Sequence, residues 1–442
     1  MRPPRGRERT VKLAANTLLQ GASSRLLPAS IPFRFFGAAV AYYVLAWIAL
    51  YFGAESLPRF AGGASWSLAA LHLVTLGVLA MSAIGASLQL LPVATRAPLR
   101  SHWTPRAIWW LYTPGVAALA LGMGLPDAGL LAGGAVAVAV ALAAFAALLA
   151  RNLLAARGMP GVVAHGWAAV ASLAIVIASA LSLAGAYVGA PGIGRSEALA
   201  LHIAFASYGF MGLLALGFSY ILVPMFALSK APSERQALAS CALAIVALAL
   251  AALAAFGIAT VALRTLAVAL GAVALGVHLH AMSAALSTGL RRELGRSFRL
   301  VRIAWALAAA SLVAGLAVAL GIPVDGAATL FGVLLIPGWL LTFLLGILQR
   351  IVPFLASMHV GHRDRRGKRL PPTPSSLTAQ RPLAIHFACH LAALGLLIAA
   401  VALDSAWAVR AAALVGFAGA VAFAVFFGRV AIRLVQAAQA AA

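Results

Sequence analysis

Carboxylates are the scarcest chemistry in this chain. Only nine of its 442 residues are acidic (Glu8, Glu55, Asp127, Glu197, Glu234, Glu293, Asp325, Asp364 and Asp404), and all nine fall in loops or at the ends of apolar runs. Ion-coupled transporters and proton pumps commonly use a buried ionisable side chain as the coupling device. The lack of any mid-membrane carboxylate therefore counts against that class. Cysteine is scarcer still. Cys241 and Cys389 both sit inside apolar runs, which excludes a disulfide framework and reads as two small buried hydrophobes. Charge of either sign is thin, at 9%, where a soluble globular chain carries about 25%. No stretch between apolar runs is long enough for a soluble domain. The longest, 357–381, is rich in Pro, Ser and charge and reads as a flexible cytoplasmic loop.

What the chain has instead is apolar length. Hydrophobic residues make up 64% of it, and the mean hydropathy is +1.02. Runs able to span the roughly 20 residues of a bilayer core lie near 32–54, 66–93, 107–125, 128–150, 162–188, 198–227, 237–258, 260–288, 301–321, 327–356, 382–403 and 406–432. The expectation is an all-α polytopic membrane protein with twelve transmembrane helices, its membrane domain covering 32–435 and lipid its first partner. The net charge is +23, yet all of the 32 Lys and Arg except Arg59, Arg195, Arg264 and Arg410 lie in, or toward the span ends that face, the N-terminal segment, the loops after even-numbered spans and the C-terminus. That asymmetry is a positive-inside signature with both termini cytoplasmic, and it makes 1–31 a basic cytoplasmic tail. The clusters 291–302 and 363–369 are orientation signals suited to anionic headgroups. With no aromatic-interleaved basic domain, nucleic acid is not an expected partner.

A pattern of Gly, Gly eight residues on and Pro seven beyond occurs three times: Gly77, Gly85, Pro92; Gly209, Gly217, Pro224; and Gly338, Gly346, Pro353. It recurs about every 130 residues, and such a period defines the architecture. Twelve spans then divide into three four-helix units, about 32–150, 162–288 and 301–432, with the pattern on the second helix of each. Small residues on a helix face let neighbours approach closely in lipid, and the prolines are expected to kink or end their helices.

With carboxylates absent, the ten histidines carry the polar chemistry of the membrane interior. His72 and His202 lie at similar depth near the starts of spans two and six, in the periplasmic third, at repeat positions five and seven residues before the first glycine. Imidazole suits haem iron, copper and zinc, so the two are candidate cofactor ligands and each other's expected partner. A second candidate metal group lies toward the cytoplasmic side. His386 and His390 share one face of span eleven at i, i+4, and His278 and His280 stand late in span eight. His359 and His362, with Met358, are weaker metal candidates at the edge of the basic loop, and His102 and His165 read as interface residues.

The strings HLVTLGVLAMSAIGASLQLLPV (72–93), HIAFASYGFMGLLALGFSYILVPMF (202–226) and GWLLTFLLGILQRIVPF (338–354), set in three four-helix units, resemble the catalytic subunit I of the haem–copper oxidases. They are also similar to haem- and copper-containing membrane proteins linked to nitric oxide in denitrifiers. The resemblance implies a bacterial inner-membrane protein binding haem b, with copper as a second cofactor and a respiratory-chain redox partner. It places His72 where the oxidases bind their low-spin haem, and His202 at their first copper-ligand position. Span seven, however, has no His-His pair, span ten has Phe331 and Val333 where a His-x-His belongs, and no mid-membrane Glu is present. A complete oxygen-reducing centre is therefore not expected. The implied function is electron transfer, nitric oxide handling, or haem or copper delivery to respiratory enzymes. Any turnover would be that of a cytochrome oxidase-like oxidoreductase. Two competing classes are a membrane transporter of a small solute or metal complex without a tightly bound cofactor, and a structural subunit of a respiratory complex.

The orientation is testable with reporter fusions. Alkaline phosphatase inserted at 256–259 is expected to be active and green fluorescent protein at 364–372 fluorescent; the reverse pair of signals would invert the topology.

Overall fold

The computed structural model describes residues 27–98, 101–291, 293–363 and 373–439. The basic tail as far as residue 26, and Asp364 with the rest of 364–372, lie outside the described residues, and so does the side chain of His362. Among the described residues there is no strand, and twelve helices are long and apolar enough to cross a membrane. The first unit comprises α1 (Ser30–Phe52), α2 (Trp66–Ala94), α3 (Trp103–Gly124) and α4 (Ala128–Leu154). The second comprises α5 (Pro160–Val188), α6 (Arg195–Ala227), α7 (Glu234–Ala255) and α8 (Thr260–Ser287). The third comprises α9 (Gly295–Ala319), α10 (Ala327–His359), α11 (Gln380–Ala402) and α12 (Ala406–Gln436). This is the all-α polytopic membrane fold expected from the apolar runs.

The three units pack alike. In each, the third and fourth helices form the tightest pair, and the second helix lies along the whole length of the first. The fourth helix of one unit packs on the first helix of the next, α4 on α5, α8 on α9 and α12 on α1, so the units close into a ring. Inside that ring stand α2, α6 and α10, whose apolar windows are 67%, 72% and 61% buried against 56% or less for every other helix. Side chains such as Val136, Val140, Val273 and Leu414 project outward from the outer helices, more than half exposed. In water such an apolar exterior would be a liability; in lipid it is the correct surface. On the face of the ring reached by the loops after odd-numbered helices, Arg59 bridges Asp325 (3.3 Å) and Asp404 (3.1 Å), and Arg410 pairs with Glu55. Two of the four arginines on that face are thus matched by carboxylates.

The glycine pattern is the packing device, and its register is the same in all three units. A Cβ on Gly77 would stand 2.7 Å from the Tyr42 Cβ, and one on Gly85 2.9 Å from the Phe35 Cβ. On α6 the same positions meet Ser172 (2.7 Å from Gly209) and His165 (2.8 Å from Gly217). On α10 they meet Leu307 (3.7 Å from Gly338) and Leu300 (3.2 Å from Gly346). The partner residues are spaced identically along α1, α5 and α9, so one helix–helix contact has been built three times. It follows that Phe35, His165 and Leu300 are equivalent positions.

Each first glycine also sits fifth in an eight-residue π-helical segment: Leu73–Ala80, Phe205–Gly212 and Leu334–Leu341. π-turns are rare and mark functional sites frequently. A hydroxyl beside each supplies an extra donor to the loosened ladder: Thr75 to the Leu71 carbonyl (3.0 Å), Ser207 to Ile203 (2.6 Å) and Thr342 to Pro337 (2.9 Å). Of the two outcomes expected of the prolines, to kink or to end their helices, they do not do the second. Pro92, Pro224 and Pro353 all lie inside helices, and the last of these helices continues to Arg363. Neighbouring helices and local adjustments make such prolines tolerable in membranes.

Because the Gly217 position touches the His165 Cβ while Gly276 has nothing within 4 Å, the two should differ sharply on substitution. Gly217→Val is expected to overpack the α5–α6 contact and destabilise the protein by about 1–3 kcal/mol, lowering its melting temperature in detergent, while Gly276→Ala leaves the melting temperature near wild type.

Candidate functional site

Eight histidines with described side chains lie within or at the ends of the membrane helices apart from exposed His102, and the fold sorts them into three clusters and two isolated rings. The first cluster joins two units. His72 closes the first α-helical stretch of α2, directly before its π-segment, and His202 stands three residues before the π-segment of α6. Although 130 positions separate them, their ring centroids are 6.3 Å apart with planes inclined by 22°. The His72 Nδ1–H donates to the Leu68 carbonyl one turn back (3.0 Å), which leaves Nε2 as the nitrogen with a free lone pair. The His202 Nδ1 is enclosed and has no hydrogen-bond partner. Both rings are half-buried. The expected pairing of His72 with His202 is therefore present in space.

The second cluster lies nearer the opposite face, where α11 meets α1, α10 and α12. His386 and His390 are almost fully buried, with ring centroids 5.8 Å apart. The Thr342 hydroxyl gives its proton to the Pro337 carbonyl and so accepts from His390 Nε2–H at 2.7 Å. The other nitrogen of His390, Nδ1, faces the Tyr43 hydroxyl at 3.4 Å. The His386 Nδ1–H donates to the Gly419 carbonyl at 3.2 Å, and its Nε2 is enclosed with no partner.

His278 does not join that pair, as the sequence grouping had supposed. It is fully buried on α8 in a third cluster within the second unit, its ring edge-on to Tyr220 (5.1 Å between centroids) and to Trp305 (6.5 Å). Tyr220 stands 5.5 Å from His165. His165, read from sequence as an interface residue, is 1% exposed. It occupies the position that Phe35 and Leu300 fill in the other units, and its Nδ1–H donates to the Gly161 carbonyl (2.7 Å). His280, two residues beyond His278 on the same helix, points outward and is exposed, because two residues turn a helix face through most of a half-circle. His359 touches the carbonyls of Leu355 (2.8 Å) and Leu27 (2.9 Å) with its two nitrogens, so it ties α10 to the start of the described chain.

Among the described residues, no group of three or more His, Cys, Asp or Glu is placed to hold a metal ion. What the clusters offer is pairs of imidazoles. Two metal–nitrogen bonds of about 2 Å each, with half a ring on either side, place two ligand centroids about 6 Å apart, the separation of His72 from His202. The two best-formed cavities hold about 10 Å³ each, lined around Ser87 and Asn152 in one case and around Tyr43 and Phe423 in the other. That is room for about one water, and neither cavity is at the His72–His202 pair. The pair there supplies two neutral nitrogen donors at that separation, and both residues are half-buried.

Sequence reasoning missed Tyr43, Thr342, Tyr220 and Gly419. Nothing in their spacing marks them, since each becomes notable only by facing a histidine from another helix. His165 carried one signal, its place beside the repeat glycine Gly217. No family model matches the chain, and no curated protein matches it in sequence.

The third cluster encloses four polar atoms without partners: Tyr220 Oη, His165 Nε2 and both His278 nitrogens. An unpaired buried polar group costs about 1–3 kcal/mol. Tyr220→Phe is accordingly expected to leave stability unchanged or raise it by about 1 kcal/mol in detergent melts, whereas a clear loss would show that the hydroxyl holds a bound group.

Proposed function

We propose that this protein is a haem-binding integral membrane protein, akin to subunit I of the haem–copper oxidases, in which His72 and His202 would hold a haem b. The observation that carries this reading is the meeting of two repeat-borne imidazoles, 6.3 Å apart and nearly parallel, between two units of a ring in which no carboxylate is buried among the described residues. The Leu68 carbonyl holds the His72 tautomer that presents Nε2, which is the usual outer-shell arrangement for a metal-bound imidazole. When bound, the haem would supply one-electron chemistry at its iron. The protein's own part is to set two imidazoles at the required spacing, with the π-segments of α2 and α6 beginning within three residues of them. With both histidines holding it, the group would serve electron transfer, or be stored and delivered, rather than bind a gas such as nitric oxide.

In this reading the face bearing Arg59 and Arg410 is periplasmic and both termini are cytoplasmic, in a bacterial inner membrane. A redox partner would then act from the periplasmic side, where His72 and His202 lie.

The test is the absorption spectrum of protein purified with haem available. Wild type is expected to show a six-coordinate, low-spin b-type spectrum. His72→Ala and His202→Ala should each abolish it or convert it to a five-coordinate form, and His102→Ala should leave it unchanged. A wild type with no Soret band after haem loading would overturn the reading and leave the transporter of a small solute or metal complex as its replacement. Wild-type spectra in both variants would remove the site.

A further inference from the structure

We propose that Arg34 with Trp109, and Arg299 with Phe387, form two binding sites for the phosphate of an anionic phospholipid. One lies in the first unit and one in the third, on the face of the ring opposite Arg59 and Arg410. Neither depends on a group bound between His72 and His202.

The two pairs are one feature of the repeat. Phe35, His165 and Leu300 are equivalent positions on the first helices, and the residues just before them are Arg34, Ala164 and Arg299. The buried positions of the third helices also run in step: Ile108 and Val116 on α3, Ser240 and Leu248 on α7, and His386 and Leu394 on α11. The residues just after Ile108, Ser240 and His386 are Trp109, Cys241 and Phe387. In the first unit the Arg34 guanidinium carbon stands 5.3 Å from the centre of the Trp109 ring, and in the third that of Arg299 stands 5.6 Å from Phe387. The Trp109 Nε1–H also donates to the Arg34 carbonyl at 3.1 Å, which fixes the ring against α1. The second unit, with Ala164 and Cys241, has neither the arginine nor the ring.

What these arginines face is lipid. Each is the fifth residue of its helix, about 6 Å in from the end, where a long side chain still reaches the headgroups. Arg299 is exposed and shares an outward stripe with Arg302 and, deeper, with Val313, which is 70% exposed. In the first unit exposed Arg106 stands one turn before Trp109, and Trp110 is 65% exposed, as tryptophans at a membrane interface are. Each site therefore carries two guanidinium groups. An aromatic ring covers one face of a guanidinium and leaves its N–H edge free, and that edge matches two phosphate oxygens. Among the described residues every ion pair lies on the opposite face, and Glu293, the acid nearest Arg299 in sequence, is in none of them. The positive charge is left for an anion from outside the chain, as in basic clusters that recognise anionic lipid. A zwitterionic headgroup would bring its ammonium toward two cations, and an anionic one brings none.

The test is native mass spectrometry of the full-length protein, delipidated in a neutral detergent and titrated with phosphatidylglycerol. Wild type is expected to retain two lipids at a concentration where phosphatidylcholine is not retained, and excess inorganic phosphate should not displace them. At that concentration Arg34→Gln and Arg299→Gln should each retain one, and the double variant none. Arg151→Gln removes an exposed arginine on the same face but outside both pairs, and should retain two. Helical circular dichroism and a monodisperse elution profile check that each variant is folded. Fewer than two lipids on wild type, or any retained by the double variant, would overturn the proposal. So would equal retention of phosphatidylcholine, or loss of a lipid from Arg151→Gln, since either would mean diffuse attraction. Displacement by inorganic phosphate would make these sites for free phosphate and overturn the lipid assignment.

Discussion

The contact between the first and second helix of each unit is the constraint on which the remainder of the ring depends. In lipid there is no hydrophobic drive to bring helices together, so close packing of small residues must hold them. Two glycines per unit meet that need, and at Gly77, Gly85, Gly209 and Gly217 a Cβ would fall less than 3 Å from a side chain of the neighbouring helix. The second helices are thereby drawn inward until their π-segments touch at the centre of the ring, α2 with α10 and α6 with α10. Trp339 fills the middle, against Tyr208 and Gly212.

That inward placement explains where polar chemistry can exist. A histidine on an outer helix facing lipid would be unpaired in hydrocarbon unless it lay near the interface, as His280 does on its exposed face. Histidines that face between units find one another instead. The His72–His202 pair lies between the first and second units, and the His386–His390 pair where the third closes on the first. In both, a backbone carbonyl or hydroxyl takes the N–H of at least one ring and leaves a lone pair free. The third cluster is different in kind. His165, Tyr220 and His278 lie within one unit, and their unpartnered atoms have no second histidine ring stacked against them.

Much of the candidate site was legible because it rides on the repeat. His72 and His202 could be paired from sequence since the glycine pattern placed both on second helices at similar depth, and a ring of units turns equivalent faces toward a common axis. The i, i+4 spacing of His386 and His390 likewise guaranteed one shared face. The grouping of His278 with that pair failed for a physical reason: depth along the membrane normal says nothing about which side of the ring a helix occupies. His165 was misjudged because a histidine near a helix start looks interfacial in sequence, whereas here it is pressed against Gly217 by the same contact that positions Phe35 in the first unit.

The sequence by itself determined the twelve apolar helices, their division into three units and the lack of any mid-membrane carboxylate. Length, hydropathy and a repeated glycine register are local properties that survive whatever the helices later touch. Only the tertiary structure decided that His278 sits with Tyr220 and His165 and not with the pair on α11, that the repeat prolines are carried inside helices, and that π-turns surround the first glycine of each unit. Those outcomes depend on the rotation of each helix about its own axis and on which unit closes against which. Both are set by helix–helix packing between segments more than a hundred residues apart.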